Sequence, residues 1–370
     1  MSAKLSTPAL LTCAVLLAGV SQANAQPYTF TDLGTLPGGN FSSAQAINNA
    51  GQIAGYSSFS SPSFTNHATI WNGTNVLDLG TLGGTFSSAL AINNTGQVAG
   101  YSELPDHTQH ATVWRGTSVM SLGAPEGSHS QAQGINDTGQ VAGAVFGPGV
   151  DRQATIWNGT TPTDLDTLGG RTSEAHAINN AGQAAGYSYL SDEITRHATV
   201  WNGTAVTDLG TLGGRSSVAN DINNAAQVAG YSYVSGDGTF HATFWDDSTP
   251  ADLGTLGGNR SEAHAINDGG MIVGWADTAE GVTHATLWNN GMATDLNTFL
   301  DASAVNAGWA LVRAYDISDN GWIVGNAENS LTSETHAFLL TPIPEPETYA
   351  MFLAGLGLMA FVASRRGKAV

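Results

Sequence analysis

Between residues 26 and 341 the apolar positions follow no sustained 3.6-residue period, which argues against amphipathic helices. Short alternating runs take their place. In His197-Ala198-Thr199-Val200-Trp201, Ala198 and Val200 fall on one face of an extended segment. The runs are punctuated by turn chemistry. Trp71-Asn72-Gly73-Thr74, Trp157-Asn158-Gly159-Thr160 and Trp201-Asn202-Gly203-Thr204 each place Asn-Gly between strand formers, which predicts two-residue hairpins. Asn223-Asn224 and the Leu-Gly-Gly runs tolerate positive φ and close other turns. The body is predicted to be all-β.

These runs recur. One unit reads Thr207-Asp208-Leu209-Gly210-Thr211-Leu212-Gly213-Gly214, then Ala219-Asn220-Asp221-Ile222-Asn223-Asn224, then Gln227-Val228-Ala229-Gly230-Tyr231-Ser232, and closes with His241-Ala242-Thr243-Phe244-Trp245. The Asp-Leu element starts at 32, 78, 164, 208, 252 and 295, with a degenerate copy at Ser121. The Ile-Asn element starts at 47, 92, 135, 178, 222 and 266, with Ile317-Ser318 as the seventh. The His-Ala element starts at 67, 110, 197, 241, 284 and 336, with Gln153-Ala154 in the third place. The spacing is 43 or 44 through the middle of the chain.

Four strands in about 43 residues match one blade of a β-propeller. The ends of the body sharpen this. It opens on Tyr28-Thr29-Phe30-Thr31-Asp32-Leu33 with no His-Ala strand before it, and ends on His336-Ala337-Phe338-Leu339-Leu340 with no Asp-Leu strand after it. Each end lacks the partner the other supplies, so a closed ring would remove both exposed edges. A seven-bladed propeller over 26–341 is therefore favoured over a β-helix, whose termini need caps rather than complementary halves.

Charge narrows the function. The chain has 30 acidic and 11 basic residues and a net charge of −19, and the seven basic residues of the body are all Arg, at 115, 152, 171, 196, 215, 260 and 313. Such a body repels phosphate backbones, so no nucleic-acid partner is expected. The only cysteine, Cys13, lies in the first 25 residues, which leaves the body without disulfide, thiol nucleophile or thiolate metal site.

Both ends read as export signals. Residues 1–25 carry Lys4, an apolar run from Pro8 to Val20, and Ala23-Asn24-Ala25, a signal peptide cut after Ala25 by signal peptidase to leave Gln26 first. Residues 342–347, Pro342-Ile343-Pro344-Glu345-Pro346-Glu347, form an extended linker. Residues 348–370 hold the uncharged stretch Thr348 to Ala363 and then Arg365, Arg366 and Lys368. As a helix that stretch is about 24 Å long, short of the roughly 30 Å hydrocarbon core, and the arginines snorkel to cover part of the difference. Their charge holds the extreme C-terminus in the cytoplasm and the body outside the inner membrane.

Pro344-Glu345-Pro346, an apolar helix and an Arg cluster in that order resemble the PEP-CTERM sorting signal. The resemblance implies export by a bacterium that makes exopolysaccharide, transient residence in the inner membrane, and processing by an exosortase near the tripeptide. His-Ala-(Thr/Phe)-x-Trp, Asp-Leu-Gly-Thr-Leu-Gly-Gly and Ile-Asn-x-x-Gly-Gln-x-x-Gly at this period resemble the HAF family of bacterial extracellular repeats over 28–340. That resemblance implies fold and export, and no activity. The third unit departs most, with Ala144-Val145 in place of Tyr-Ser and Gln153 in place of His.

No Gly-x-Ser-x-Gly, His-Glu-x-x-His or Walker sequence is present, so no catalytic residue is assigned. The repeated His and Asp residues are expected to lock blades and cap turns, because seven-fold repetition separates equivalent side chains by a blade width. His176 and His264, with Glu174 and Glu262, are a minor candidate set for a divalent ion. The loops Ser235-Gly236-Asp237-Gly238 and Asp246-Asp247 are the candidates for Ca2+, and neither fits an EF-hand, so no cofactor is expected. Variable segments 57–66, 102–109, 188–196, 232–240 and 275–283 should cluster on one ring face, where Phe59, Phe64, Tyr189, Tyr233 and Trp275 offer stacking surfaces for exopolysaccharide. The sequence thus predicts a non-catalytic surface or matrix protein. A glycan-active enzyme is the alternative, recognisable by a carboxylate pair with no counterpart in other blades, and a structural spacer is the third reading.

Overall fold

The computed structural model of the protein describes residues 28–59 and 65–343. The signal-cleavage residues Ala23, Ala25 and Gln26, the loop aromatic Phe64, the sorting tripeptide Pro344, Glu345 and Pro346, and the apolar stretch from 348 lie outside the described residues. Among those described, no helix is long and apolar enough to cross a membrane.

The strands form seven four-stranded antiparallel sheets. The first blade runs from inside to outside as Ser42–Ile47, Gln52–Ser58, Asn66–Asn72 and Asn75–Asp78. Blades 2 to 6 repeat this order over 87–121, 129–164, 169–208, 213–252 and 257–295. The seventh takes Trp309–Ile317, Ile323–Asn329 and Thr335–Pro342 from the C-terminal side and receives Tyr28–Asp32 as its outermost strand. The two ends zip in the register Thr29↔Thr341, Phe30↔Leu340, Thr31↔Leu339, so the propeller is shut by the complementary edges. Among the described residues helix is confined to two short turns before blade 7, Leu296–Phe299 and Ala302–Asn306, capped by Asp295 and Asp301.

Blade-to-blade packing follows from the repeat. Trp71, Trp114, Trp157, Trp201, Trp245 and Trp288 are all fully buried. Each belongs to the third strand of its blade and packs on the preceding one: Trp114 meets Ala46, Ala54, Ala68 and Leu79 of blade 1, and Trp71 meets Val324, Ala337 and Leu339 of blade 7. Leu340 takes this place in blade 7 and joins the largest core cluster with Leu296, Leu300 and Phe338.

The repeated polar residues lock the blades. His67, His197, His241 and His284 bind Asp78, Asp208, Asp252 and Asp295 of the adjacent outer strand at 2.7–3.0 Å. His336 reaches Asp32 across the closing seam at 2.9 Å. Asp32, Asp78, Asp208 and Asp252 also accept from the backbone N–H two residues on, which caps the turn that follows. In the divergent third blade, Gln153 donates instead to the Leu165 carbonyl.

At one mouth of the central channel, Asn49 N donates to Asn94 Oδ1, Asn94 N to Asp137, Asp137 N to Asn180, Asn180 N to Asn224, Asn224 N to Asp268, Asp268 N to Asp319, and Asp319 N back to Asn49. The distances are 2.8–3.0 Å and the circle is complete. Every blade is thereby tied to the next through residues that a linear reading takes for simple turns.

Candidate functional site

Antiparallel order fixes two unlike faces. The Asn-Asn and Asn-Gly turns emerge on one, and the connections between second and third strands, with those from each outer strand to the next inner one, emerge on the other. The described residues of the variable segments occupy this second face.

In every inner strand a β-bulge interrupts the pairing, between Ala44 and Ala46, Ala89 and Ala91, Ala132 and Gly134, Ala175 and Ala177, Ala219 and Asp221, Ala263 and Ala265, and Ala314 and Asp316. The extra residue is turned into the channel. The turned-in set is Gln45, Leu90, Gln133, His176, Asn220, His264 and Tyr315, which differ from blade to blade and line a cavity of about 200 Å³. The crowding beside each bulge explains the glycine opposite it: a Cβ at Gly55 would collide with the Ser43 carbonyl oxygen, and one at Gly230 with that of Val218.

In this channel His176 and His264 each turn Nδ1 to a backbone carbonyl, 3.0 Å from Ala219 O and 2.8 Å from Ala314 O respectively. His264 also stacks on Tyr315 at 5.0 Å. Glu174 and Glu262 stand 3.9 and 3.8 Å from these imidazoles, and among the described residues no group of three or more metal-binding side chains converges. Asp221 and Asp316 also line the channel, where the other blades carry Ala46, Ala91, Gly134, Ala177 and Ala265. Asp221 accepts from Ile222 N and Ile266 N, and Asp316 from Ile317 N and Ile47 N, each joining its blade to the next. Burial pushes Asp221 up to about 6; burial and then repulsion by Asp221 push Asp316 up to about 7.

The variable-loop face holds a continuous belt of aromatic and guanidinium groups over blades 4 to 6. Tyr189 meets Tyr187 at 6.1 Å; Arg196 lies over the Tyr187 ring at 5.1 Å and donates to the Tyr231 hydroxyl at 2.9 Å. Tyr231 and Tyr233 pack on Phe240 at 5.2 and 5.6 Å, and Phe240 meets Trp275 edge-on at 5.9 Å. Arg260 and Arg313 lie over Trp275 at 5.8 and 5.4 Å. Of the sequence-selected aromatics, Tyr189, Tyr233 and Trp275 join this belt. Trp275 lies within the strand Ile272–Thr278, at the site that Tyr187 and Tyr231 fill in their blades, and only 5% of it is exposed. Phe59 stands apart in blade 1, against His67 at 4.6 Å.

Six of the seven body arginines, all but Arg115, enter this face from blades 3 to 7. Arg152 binds Glu174 at 2.7 Å, Arg171 binds Asp151 at 2.7 Å, and Arg260 binds Asp277 at 2.9 Å. Burial opposes ionisation of Glu174, but His176, Arg152 and the Tyr187 hydroxyl outweigh it and hold the carboxyl down at about 2. Among the described residues Arg196 and Arg313 have no carboxylate within 4 Å. The arginines and Phe240, Tyr187 and Tyr231 were not singled out from sequence; the spacing of Arg171, Arg215 and Arg260, one per unit after Gly-Gly, was the available signal.

Residues 342–366 match the PEP-CTERM protein-sorting motif. The motif implies an exported protein, anchored in a membrane before an exosortase processes it. It covers the tail and leaves the propeller without a family. No curated protein matches the chain in sequence. Solved structures align with it only distantly. TolB from Acinetobacter baumannii aligns at 10% identity and a TM-score of 0.46 over 80% of this chain and 64% of its own. Porphyromonas gingivalis dipeptidyl peptidase 4 aligns at 9% and 0.41 over 77% and 50%. A mutant Aleuria aurantia lectin in complex with α-methyl-L-fucoside aligns at 10% and 0.38 over 72% and 97%. This chain thus spans less than two thirds of the first two.

Proposed function

We propose that this exosortase-sorted protein is a non-catalytic component of the cell surface or extracellular matrix, an HAF-type repeat protein that holds exopolysaccharide on the variable-loop face of its propeller. The observation that supports this reading is the aromatic belt from Tyr189 through Tyr233 to Trp275, alternating with guanidinium groups on the face where the repeat is least regular. Tyr189, Tyr233 and Phe240 keep part of their surface open, and such rings offer flat apolar faces to the C–H faces of sugars, while the buried Trp275 backs them. Pull-down with the producer's own polysaccharide tests the reading. Retention at low salt is expected, and none would refute it.

A second reading, cleavage of a glycan, draws on one observation: Asp221 and Asp316 are a carboxylate pair without counterparts in the other five blades, in surroundings that raise both pKa values. Release of reducing ends from the polysaccharide by the native protein, abolished in Asp316→Asn, would favour it over simple retention.

A further inference from the structure

The binding reading can be carried to a ligand class. Between blades 4 and 5, on the variable-loop face, lies an open cavity of about 260 Å³ lined by Arg196, Arg215, Ser216, Tyr233 and Asp237. That is near the lower end of ligand-site sizes, fitting one ring of a chain rather than a large cofactor. Three elements build it. Arg196 opens the third strand of blade 4, Arg215 and Ser216 open the inner strand of blade 5, and Asp237 sits in the loop that follows Tyr233.

The two arginines are held differently. Arg215 has a partner, with Nε 3.5 Å from Asp237 Oδ2. Arg196 stacks on Tyr187 and gives one N–H to the Tyr231 hydroxyl, and no carboxylate reaches it among the described residues. Of the two guanidinium groups in this cavity, Arg196 is thus the one left without a carboxylate partner among the described residues. The Tyr187 ring and the Tyr231 hydroxyl hold the guanidinium at the cavity wall, so its remaining donors are placed for a planar oxyanion. Tyr233, backed by Phe240 at 5.6 Å, supplies a platform beside it. Asp237 and Ser216 supply an acceptor and a hydroxyl. An apolar platform, a pre-set anion fork and two hydroxyl partners together describe a sugar ring bearing a carboxylate.

Resting on the exopolysaccharide reading, we infer that this cavity is a subsite for a uronic-acid residue, whose carboxylate is taken by Arg196 and whose ring face lies on Tyr233. The test uses the protein as released by the producing cells. It is immobilised and presented with oligomers of galacturonate, glucuronate, mannuronate and guluronate, with their methyl esters, and with the producer's own polysaccharide. At least one acid oligomer should be retained about tenfold more than its ester, the scale set by one charge-assisted hydrogen-bonded pair. Arg196→Gln, which replaces the guanidinium by a neutral planar amide, should erase that preference. Arg115→Gln on the opposite face should leave it intact. Acids and esters held equally, or Arg196→Gln binding acids like the parent, would overturn the inference and leave polysaccharide binding standing. Retention of no glycan, the producer's included, would overturn both. The ester comparison needs no variant, so it decides even where a substitution unfolds the chain.

Discussion

A covalent staple across the closing seam would measure what the meeting of the chain ends contributes. Thr29 and Thr341 face each other in the antiparallel pair, at the outer edge of blade 7. Directly opposed residues in such a pair have Cα atoms roughly 4.5–5.5 Å apart, inside the range a disulfide spans. Replacing both by cysteine adds the only thiols of the body, because the chain's one cysteine is Cys13. The loop so closed is roughly 310 residues long, for which chain-entropy arithmetic gives about 5–6 kcal/mol of stabilisation through the unfolded state. With an unfolding entropy of about 2.1 cal/mol/K per residue, that raises Tm by about 8 °C over the same variant in reductant. Calorimetry with and without reductant reads the difference, and mass spectrometry confirms the bond. Spontaneous oxidation to one intramolecular bridge with a Tm gap of this size is expected. A variant that forms no such bridge, or whose Tm is indifferent to reductant, would refute the reasoning that these two edges pair.

Other outcomes follow from the same structure. Trp201→Ala empties a fully buried site between blades 3 and 4 and should cost about 3–5 kcal/mol in denaturant unfolding, whereas an exposed change such as Leu331→Ala should cost little. Asp221 and Asp316 hold their protons more tightly folded than unfolded, so the native chain binds more protons than the unfolded one between about pH 4 and 7 and stability falls as pH rises through that window. Thermal unfolding from pH 4 to 8 should show a loss on the order of a few kcal/mol, flattened in the Asp221→Asn, Asp316→Asn double variant. Intact mass of the protein from cells and medium should place the first residue at Gln26 and, after processing, the last near Pro344-Glu345-Pro346.

Much of the architecture was written in local chemistry. Asn-Gly turns marked the hairpins, the 43- or 44-residue repeat marked the blades, and the unmatched Tyr28–Asp32 and Thr335–Pro342 strands announced their own pairing. The functional face was only half visible. Tyr187 and Tyr231 belong to the repeated Tyr-Ser element, so repetition marked them as framework; yet the stack that crosses blades 4 to 6 needs them to connect Arg196 with Phe240. Trp275 sits in the same register and is buried by it. The bulges were hidden for another reason. Gln45-Ala46-Ile47 reads as plain strand, and nothing local says that Gln45 is the unpaired residue; the Gly55 it crowds lies on the neighbouring strand. Closed circles such as the one from Asn49 through Asp319 exist only in three dimensions.

The most direct test of the proposed face is side-chain footprinting by hydroxyl radicals, with and without the producer's polysaccharide bound. Tyr189, Tyr233 and Phe240 should be protected in the complex, while Met120 and Met292, on outer strands of blades 2 and 6, should oxidise at an unchanged rate. Protection confined to Met120, Met292 or the Asn49–Asp319 mouth, with Tyr189 and Tyr233 as reactive as in the free protein, would contradict the account.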